Sequence, residues 1–171
     1  MNKANRILEN MDADVKDMIK ENIGEISEKA SVQKQAQYIN ELLNYAENND
    51  IPMENAMRKC AGNCLTKDVI ELARSIYEQA ATMDEFLAGL NNAEIGGGNL
   101  HIENDKVIGI YKSCYCDIPY EIKGINPMYC QCSAGWFQLL FSEVLGKNVN
   151  VRIIDTITNG ASECTFEIDC L

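Results

Sequence analysis

Leu100-His101-Ile102-Glu103-Asn104-Asp105-Lys106-Val107-Ile108-Gly109-Ile110-Tyr111 is where the chain changes regime. Leu100 to Glu103 and Val107 to Tyr111 are short strand-like runs, and Asn104-Asp105 between them is a hairpin signal. Upstream the pattern is helical. From Asn5 to about Ile26, Ile7, Leu8, Met11, Val15, Met18, Ile19 and Ile23 recur at three- and four-residue spacing, the period of a helix with one apolar face. Asp12 or Asp14 can interrupt this run as a fresh N-cap. Ser31 can cap a second helix with Val32, Ala36, Ile39, Leu42, Leu43 and Ala46 on one face. Pro52 suits the first turn of a short third helix bearing Met53, Met57 and Cys60, with Gly62 placed to end it. Thr66 caps a fourth, with Ile70, Ala73, Ile76 and Tyr77 inward. Thr82-Met83-Asp84-Glu85 is a capping box for a fifth, carrying Phe86, Leu87 and Leu90.

Gly96-Gly97-Gly98 then breaks the helical regime. No Lys-Ser/Thr follows it, so it is a joint and not a phosphate loop. Downstream of the hairpin, Cys114 to Cys132 reads as a long loop with Pro119, Gly124 and Pro127. Ser133 can cap a helix running to Leu145, and Gly146 ends it. Val149 to Thr158 alternates as a strand, Asn159-Gly160 turns, and Cys164 to Ile168 returns. The expected fold is α+β: N-terminal helices followed by a β-β-α-β-β antiparallel sheet unit, in one domain spanning 1–171. Residues 1–94 are its mainly helical part and 95–171 its β-β-α-β-β part.

At 171 residues with 46% hydrophobic content, the chain can bury a full core without disulfides. Its formal charge of −11 disfavours nucleic acid and anionic membrane surfaces as partners. The first residues carry no apolar signal segment, and the longest apolar stretch, around Trp136 to Leu145, is too short for a membrane span. The expected location is therefore cytoplasmic, where paired cysteines are more often metal ligands or redox centres than bridges.

Eight cysteines are the chemistry-bearing feature. Cys60 and Cys64 are spaced C-x3-C, which on a continuous helix puts both on one face. Cys114 and Cys116, and Cys130 and Cys132, are C-x-C pairs bracketing the long loop. Together those four could converge on one ion, the ligand set of a structural zinc site. An iron–sulfur cluster is chemically possible, but ferredoxin spacings are absent and position 67 is Lys, which excludes C-x3-C-x2-C. Thiol–disulfide cycling is the rival chemistry, although no Cys-x-x-Cys is present. Plain burial of small hydrophobic thiols is the third alternative. Cys164 lies in the last strand, and Cys170 stands apart near the chain end. His101 is the only histidine, so a His-rich metal site is excluded. Tyr129, Trp136, Phe137 and Phe141 could line an apolar ligand pocket or serve as core.

The stretch Tyr129-Cys130-Gln131-Cys132-Ser133-Ala134-Gly135-Trp136 and the ending DTITNGASECTFEI, residues 155–168, resemble the 4-vinyl reductase domain and the related L-2-amino-thiazoline-4-carboxylic acid hydrolase-like family. The matching residues of the ending are Gly160, Cys164, Phe166 and Ile168. The resemblance implies an α+β small-molecule-binding domain, often a sensor of hydrophobic ligands, sometimes with cysteine-bound zinc near the pocket. By position Cys164 would be a zinc ligand. Several relatives carry a further ligand cysteine in the preceding strand, where this chain has Thr156. No catalytic residue of a hydrolase is matched.

The resulting expectation is a cytoplasmic small-molecule-binding domain holding zinc on cysteines drawn from Cys60, Cys64, Cys114, Cys116, Cys130, Cys132 and Cys164. A small apolar molecule would fill a pocket beside the last helix. The competing expectation is an enzyme, either a thiol redox protein or a hydrolase of a small sulfur-containing substrate. A homodimer formed through the helical half is a third.

Overall fold

A computed structural model describes all 171 residues. Eight helices and four strands follow in the order α1 (Lys3–Glu9), α2 (Ala13–Ile23), α3 (Val32–Asn48), α4 (Glu54–Cys60), α5 (Lys67–Gln79), α6 (Met83–Asn92), β1 (Leu100–Glu103), β2 (Lys106–Tyr111), α7 (Ile118–Glu121), α8 (Gln131–Leu145), β3 (Asn150–Asp155) and β4 (Cys164–Asp169). Short 3-10 turns lie at Ala61–Asn63, Ile95–Gly98, Pro127–Cys130 and Ile157–Asn159. The fold is α+β, with the N-terminal helices preceding one antiparallel sheet of strand order β1-β2-β4-β3.

Local chemistry explains most boundaries. The first helical run breaks in two, with Asp12 in extended conformation as the N-cap of α2. Ser31 caps α3 by accepting from the Lys34 N–H, and Thr82 caps α6 by accepting from that of Glu85. The Glu85 carboxylate reaches back to the Ala81 N–H at 2.7 Å, one residue beyond the usual capping-box partner. Asn104 and Asp105 both have positive φ, 48° and 58°. Glu103 pairs with Lys106 across them, which is the two-residue turn that suits strand twist.

Three boundaries differ from expectation. Strand β3 ends at Asp155, not Thr158, because the chain bulges between Ile153 and Asp155 and then turns through Ile157–Asn159. The β3–β4 connection is therefore a wide loop, with Gly160 at φ 95°. Helix α8 starts at Gln131, so Cys132 belongs to its first turn and not to the loop. The helix ending at Cys60 does not stop at Gly62 but continues into the 3-10 turn.

The core has two parts. One lies between the sheet and helices α5, α6 and α8, around Phe86, Phe137, Phe141 and Phe166. The other joins α1, α3 and α4 to α7 and the start of α8, around Ile7, Ile39, Leu42 and Met57. Trp136 packs against both. The packing boundary thus does not follow the sequence boundary near residue 94: α5 and α6 go with the sheet, and residues 116–132 go with the first helices.

Arg58 ties the two parts together. Its guanidinium donates to Gln131 Oε1 at 3.0 Å, to Gln138 Oε1 at 3.0 Å and to the Val151 carbonyl at 2.9 Å. It also pairs with Glu54 at 2.9 Å, and its side chain is only 18% exposed. One planar fork therefore braces α4, α8 and β3. Arg58→Ala leaves three half-buried acceptors without this donor and is expected to cost about 2–3 kcal/mol in chemical denaturation. Arg58→Lys should recover little of that loss, because a single ammonium cannot reach three diverging acceptors.

Candidate functional site

The site begins with the placement of Lys3. Asn2 caps α1 by accepting from the Asn5 N–H, and its own side chain donates to the Ser27 carbonyl at 2.9 Å. The Lys3 N–H donates to Gln35 Oε1 at 3.0 Å. The helix start is thereby fixed, and the Lys3 side chain runs inward until the residue is only 7% exposed. Its Nζ ends 3.4 Å from Cys132 Sγ, 3.8 Å from Cys64 Sγ and 3.9 Å from Cys116 Sγ. It also stands 5.5 Å from the centre of the Tyr129 ring.

Cys60 completes this first thiol set. The Cys132 thiol contacts both Cys60 and Cys64. Four separate segments deliver the four sulfurs: the end of α4, the turn after it, the loop before α7 and the first turn of α8. Tyr129 Oη lies 2.9 Å from Cys116 Sγ. Arg6, one helical turn beyond Lys3, is a second cation acting on Cys60 and Cys64, and its buried Nε has no hydrogen-bond partner. Neither Lys3 nor Arg6 makes an ion pair with a carboxylate.

The charges follow from this geometry. Burial works against the Lys3 ammonium, but the thiols of Cys132, Cys116, Cys60 and Cys64 outweigh it and hold the lysine above its ordinary range. Cys60 is brought down to about 7, first by the hydrogen bond from Cys132, then by Lys3 and Arg6 against the opposing effect of burial. Cys64 moves the other way, because its hydrogen bond to Cys132 and its burial both favour the neutral thiol. Cys60 is thus drawn toward the thiolate, with Cys132 the largest influence and the positive charges of Lys3 and Arg6 adding to it.

A second set comprises Cys114, Cys130 and Cys164. Cys130 Sγ is 3.1 Å from Thr158 Oγ1, which is 3.0 Å from Thr156 Oγ1. The Ile157 N–H donates to Cys164 Sγ at 3.3 Å. Burial raises all three thiols, Cys114 to about 11 with help from Cys164 and Cys130. No cation faces this set as Lys3 faces the first.

The two C-x-C pairs therefore do not form one four-thiol centre. Each gives one sulfur to each set: Cys116 and Cys132 to the first, Cys114 and Cys130 to the second. At the start of α8 the reason is geometric, because residues two apart on a helical turn point to nearly opposite sides. Cys60 and Cys64 do meet, although the 3-10 turn, and not one continuous helix, brings them together. Cys170 is buried, and no other thiol is among the groups acting on it.

Both sets border one cavity of about 580 Å³. Six of the eight cysteines line it, and Cys60 lies behind them. Half of the remaining wall is apolar or aromatic, including Val69, Ile95, Tyr111, Tyr115, Tyr129 and Trp136, while Lys3, Glu94 and Asp117 add charged groups. Phe137 and Phe141 do not line it. Both are fully buried core residues, on the part of α8 that faces the sheet. Lys3, Arg6 and Tyr111 are site residues that the sequence did not flag. A lysine in a helical first turn carries no signal that its ammonium will end among thiols 61 to 129 positions away.

As the side chains stand, no three His, Cys, Asp or Glu residues form a group that could hold a metal ion. No helix is long and apolar enough to cross a membrane.

Fold and site together define an α+β protein with a thiol-walled cavity where the two parts of its core meet. The chain belongs to DUF6144, a family of unknown function, whose model matches residues 3–170. No curated protein and no solved structure matches it.

Proposed function

We propose that the protein is a cytoplasmic small-molecule-binding domain whose cavity takes a small apolar molecule against a wall of thiols. One observation carries this: a space of about 580 Å³, most of whose lining is apolar, sits where six thiols converge. Its size and lining are those of a small-molecule site. The resemblance of residues 129–136 and 155–168 to the 4-vinyl reductase domain points the same way. A reducing compartment suits the site, since its thiols stay reduced there.

Trp136 is the only tryptophan and lines the cavity, so occupancy has a built-in reporter. Titration with 1-anilinonaphthalene-8-sulfonate, an aromatic probe, should quench Trp136 emission saturably at one probe per chain. Val69→Phe narrows the same cavity and should weaken that binding at least about tenfold, equivalent to 1.4 kcal/mol of lost contact. Non-saturable quenching, or equal affinity in the narrowed variant, would rule the cavity out as the binding site.

A further inference from the structure

We infer that the ligand of this cavity is a small apolar acid, whose single anionic group pairs with the buried ammonium of Lys3. The inference rests on the cavity being the binding site and adds the class of molecule that it takes.

The placement of Lys3 carries it. Lysine is almost never buried this fully without a charge to pair with, and Lys3 is only 7% exposed. It lines the cavity, and so do Cys64, Cys116, Cys132 and Tyr129, the residues that its Nζ meets. The ammonium therefore stands at the cavity wall. No carboxylate pairs with it. Its hydrogen-bond acceptors are three sulfurs, at 3.4, 3.8 and 3.9 Å. Thiol sulfur is a weak acceptor, so the ammonium has given up water without gaining an oxygen. Burial opposes its charge, but the surrounding cysteines hold it above its ordinary range, so it remains an ammonium at neutral pH. Arg6, whose buried Nε has no hydrogen-bond partner, adds positive charge to the same thiol set.

The other charges set the number of acid groups at one. Cys60 is the thiol drawn toward the anion, but it does not line the cavity and its sulfur is not one that Lys3 contacts. Glu94 and Asp117 do line the cavity, and both are exposed. Solvent screens them from Lys3, so they do not neutralise it, but they oppose a ligand carrying a second negative charge. One buried cation thus matches one carboxylate or sulfonate. The body of such a molecule meets Val69, Ile95, Tyr111 and Trp136. A neutral hydrocarbon in the same place would leave the ammonium dry and unpaired, which is costly.

The test uses the full-length reduced chain and two probes with one aromatic frame, read by quenching of Trp136. They are 1-anilinonaphthalene-8-sulfonate and N-phenyl-1-naphthylamine, which lacks the sulfonate. The sulfonate probe should bind about 10–100-fold tighter, the worth of one charge-assisted hydrogen bond. That preference should persist at high salt, because a buried pair is weakly screened. Lys3→Met keeps an apolar stem and should abolish the preference while the neutral probe binds as before, which also shows that the variant is folded. Lys34→Met removes one positive charge at an exposed position outside the cavity and should leave the preference intact. The inference is overturned if the unaltered chain binds the neutral probe as tightly as the sulfonate, a comparison that depends on no variant. It is equally overturned if Lys3→Met keeps the preference, or if Lys34→Met abolishes it as fully. In each of those cases, saturable binding of the neutral probe that weakens in Val69→Phe leaves the cavity standing as a binding site. If neither probe binds, the cavity reading and this inference fall together.

Discussion

Gly135→Ala is expected to be among the most damaging single-methyl additions in this chain, lowering stability by at least about 3 kcal/mol. A Cβ at position 135 would lie 2.3 Å from the Arg58 carbonyl oxygen and 2.6 Å from the Arg58 Cα. Those are backbone atoms of α4, so no rotamer change relieves the contact, and the two helices must move apart. Two effects oppose each other. Alanine in place of glycine favours a helix interior by about 1 kcal/mol, while the clash works against a backbone-to-backbone helix contact. The clash outweighs the gain in helix propensity. The displacement also reaches the site, because α4 ends at Cys60 and α8 begins one residue before Cys132. Under conditions where the variant still folds, the Cys60–Cys132 contact should open and the Cys60 thiol should return toward its ordinary acidity. Denaturant melts and the pH dependence of thiol alkylation measure the two consequences. An unchanged or raised stability would show that α4 and α8 do not cross at Gly135.

Phe137→Ala should cost about 3–5 kcal/mol, the range for emptying an aromatic site in a core. The residue is fully buried. Its ring meets Tyr111, Phe166 and Trp136 at centroid distances of 5.1, 5.2 and 5.5 Å. Two glycines make room for it: a Cβ at Gly109 would lie 2.8 Å from the ring, and one at Gly96 3.0 Å. For a chain of this length such a loss lowers the thermal midpoint by on the order of 10 °C. The same change separates core from pocket. Because Phe137 does not line the cavity, the folded fraction of the variant should bind the aromatic probe with little change in affinity. A variant of normal stability that had lost probe binding would place Phe137 in the site instead.

Much of the fold was legible because it is written in local chemistry. Caps at Ser31 and Thr82, the Asn104-Asp105 turn, and apolar spacing along α3 and α8 act within a few residues of themselves, whereas Thr66 stands at the start of α5 without a side-chain capping bond. The features that escaped the sequence depend on a partner farther along the chain. The early end of β3 goes with a turn whose Ile157 N–H is satisfied by Cys164, seven residues on. Phe137 and Phe141 lie on the same helix as the pocket residue Trp136. Only the position of the sheet decides which side of α8 is core.

The sequence alone determined the α+β order of elements, the division between helical and strand-forming regions, and the presence of closely spaced thiols, because propensity, capping and periodicity are short-range. The tertiary structure decided how those thiols are grouped. It split each C-x-C pair between two sets, brought Cys60 and Cys64 to Cys132, and set Lys3 and Arg6 against them from the start of the chain. Those groupings rest on the close approach of α4 to α8 at Gly135 and on the inward run of a single lysine side chain. Side-chain chemistry at a site depends on distances of a few ångströms between residues far apart in the chain, and no local pattern encodes them.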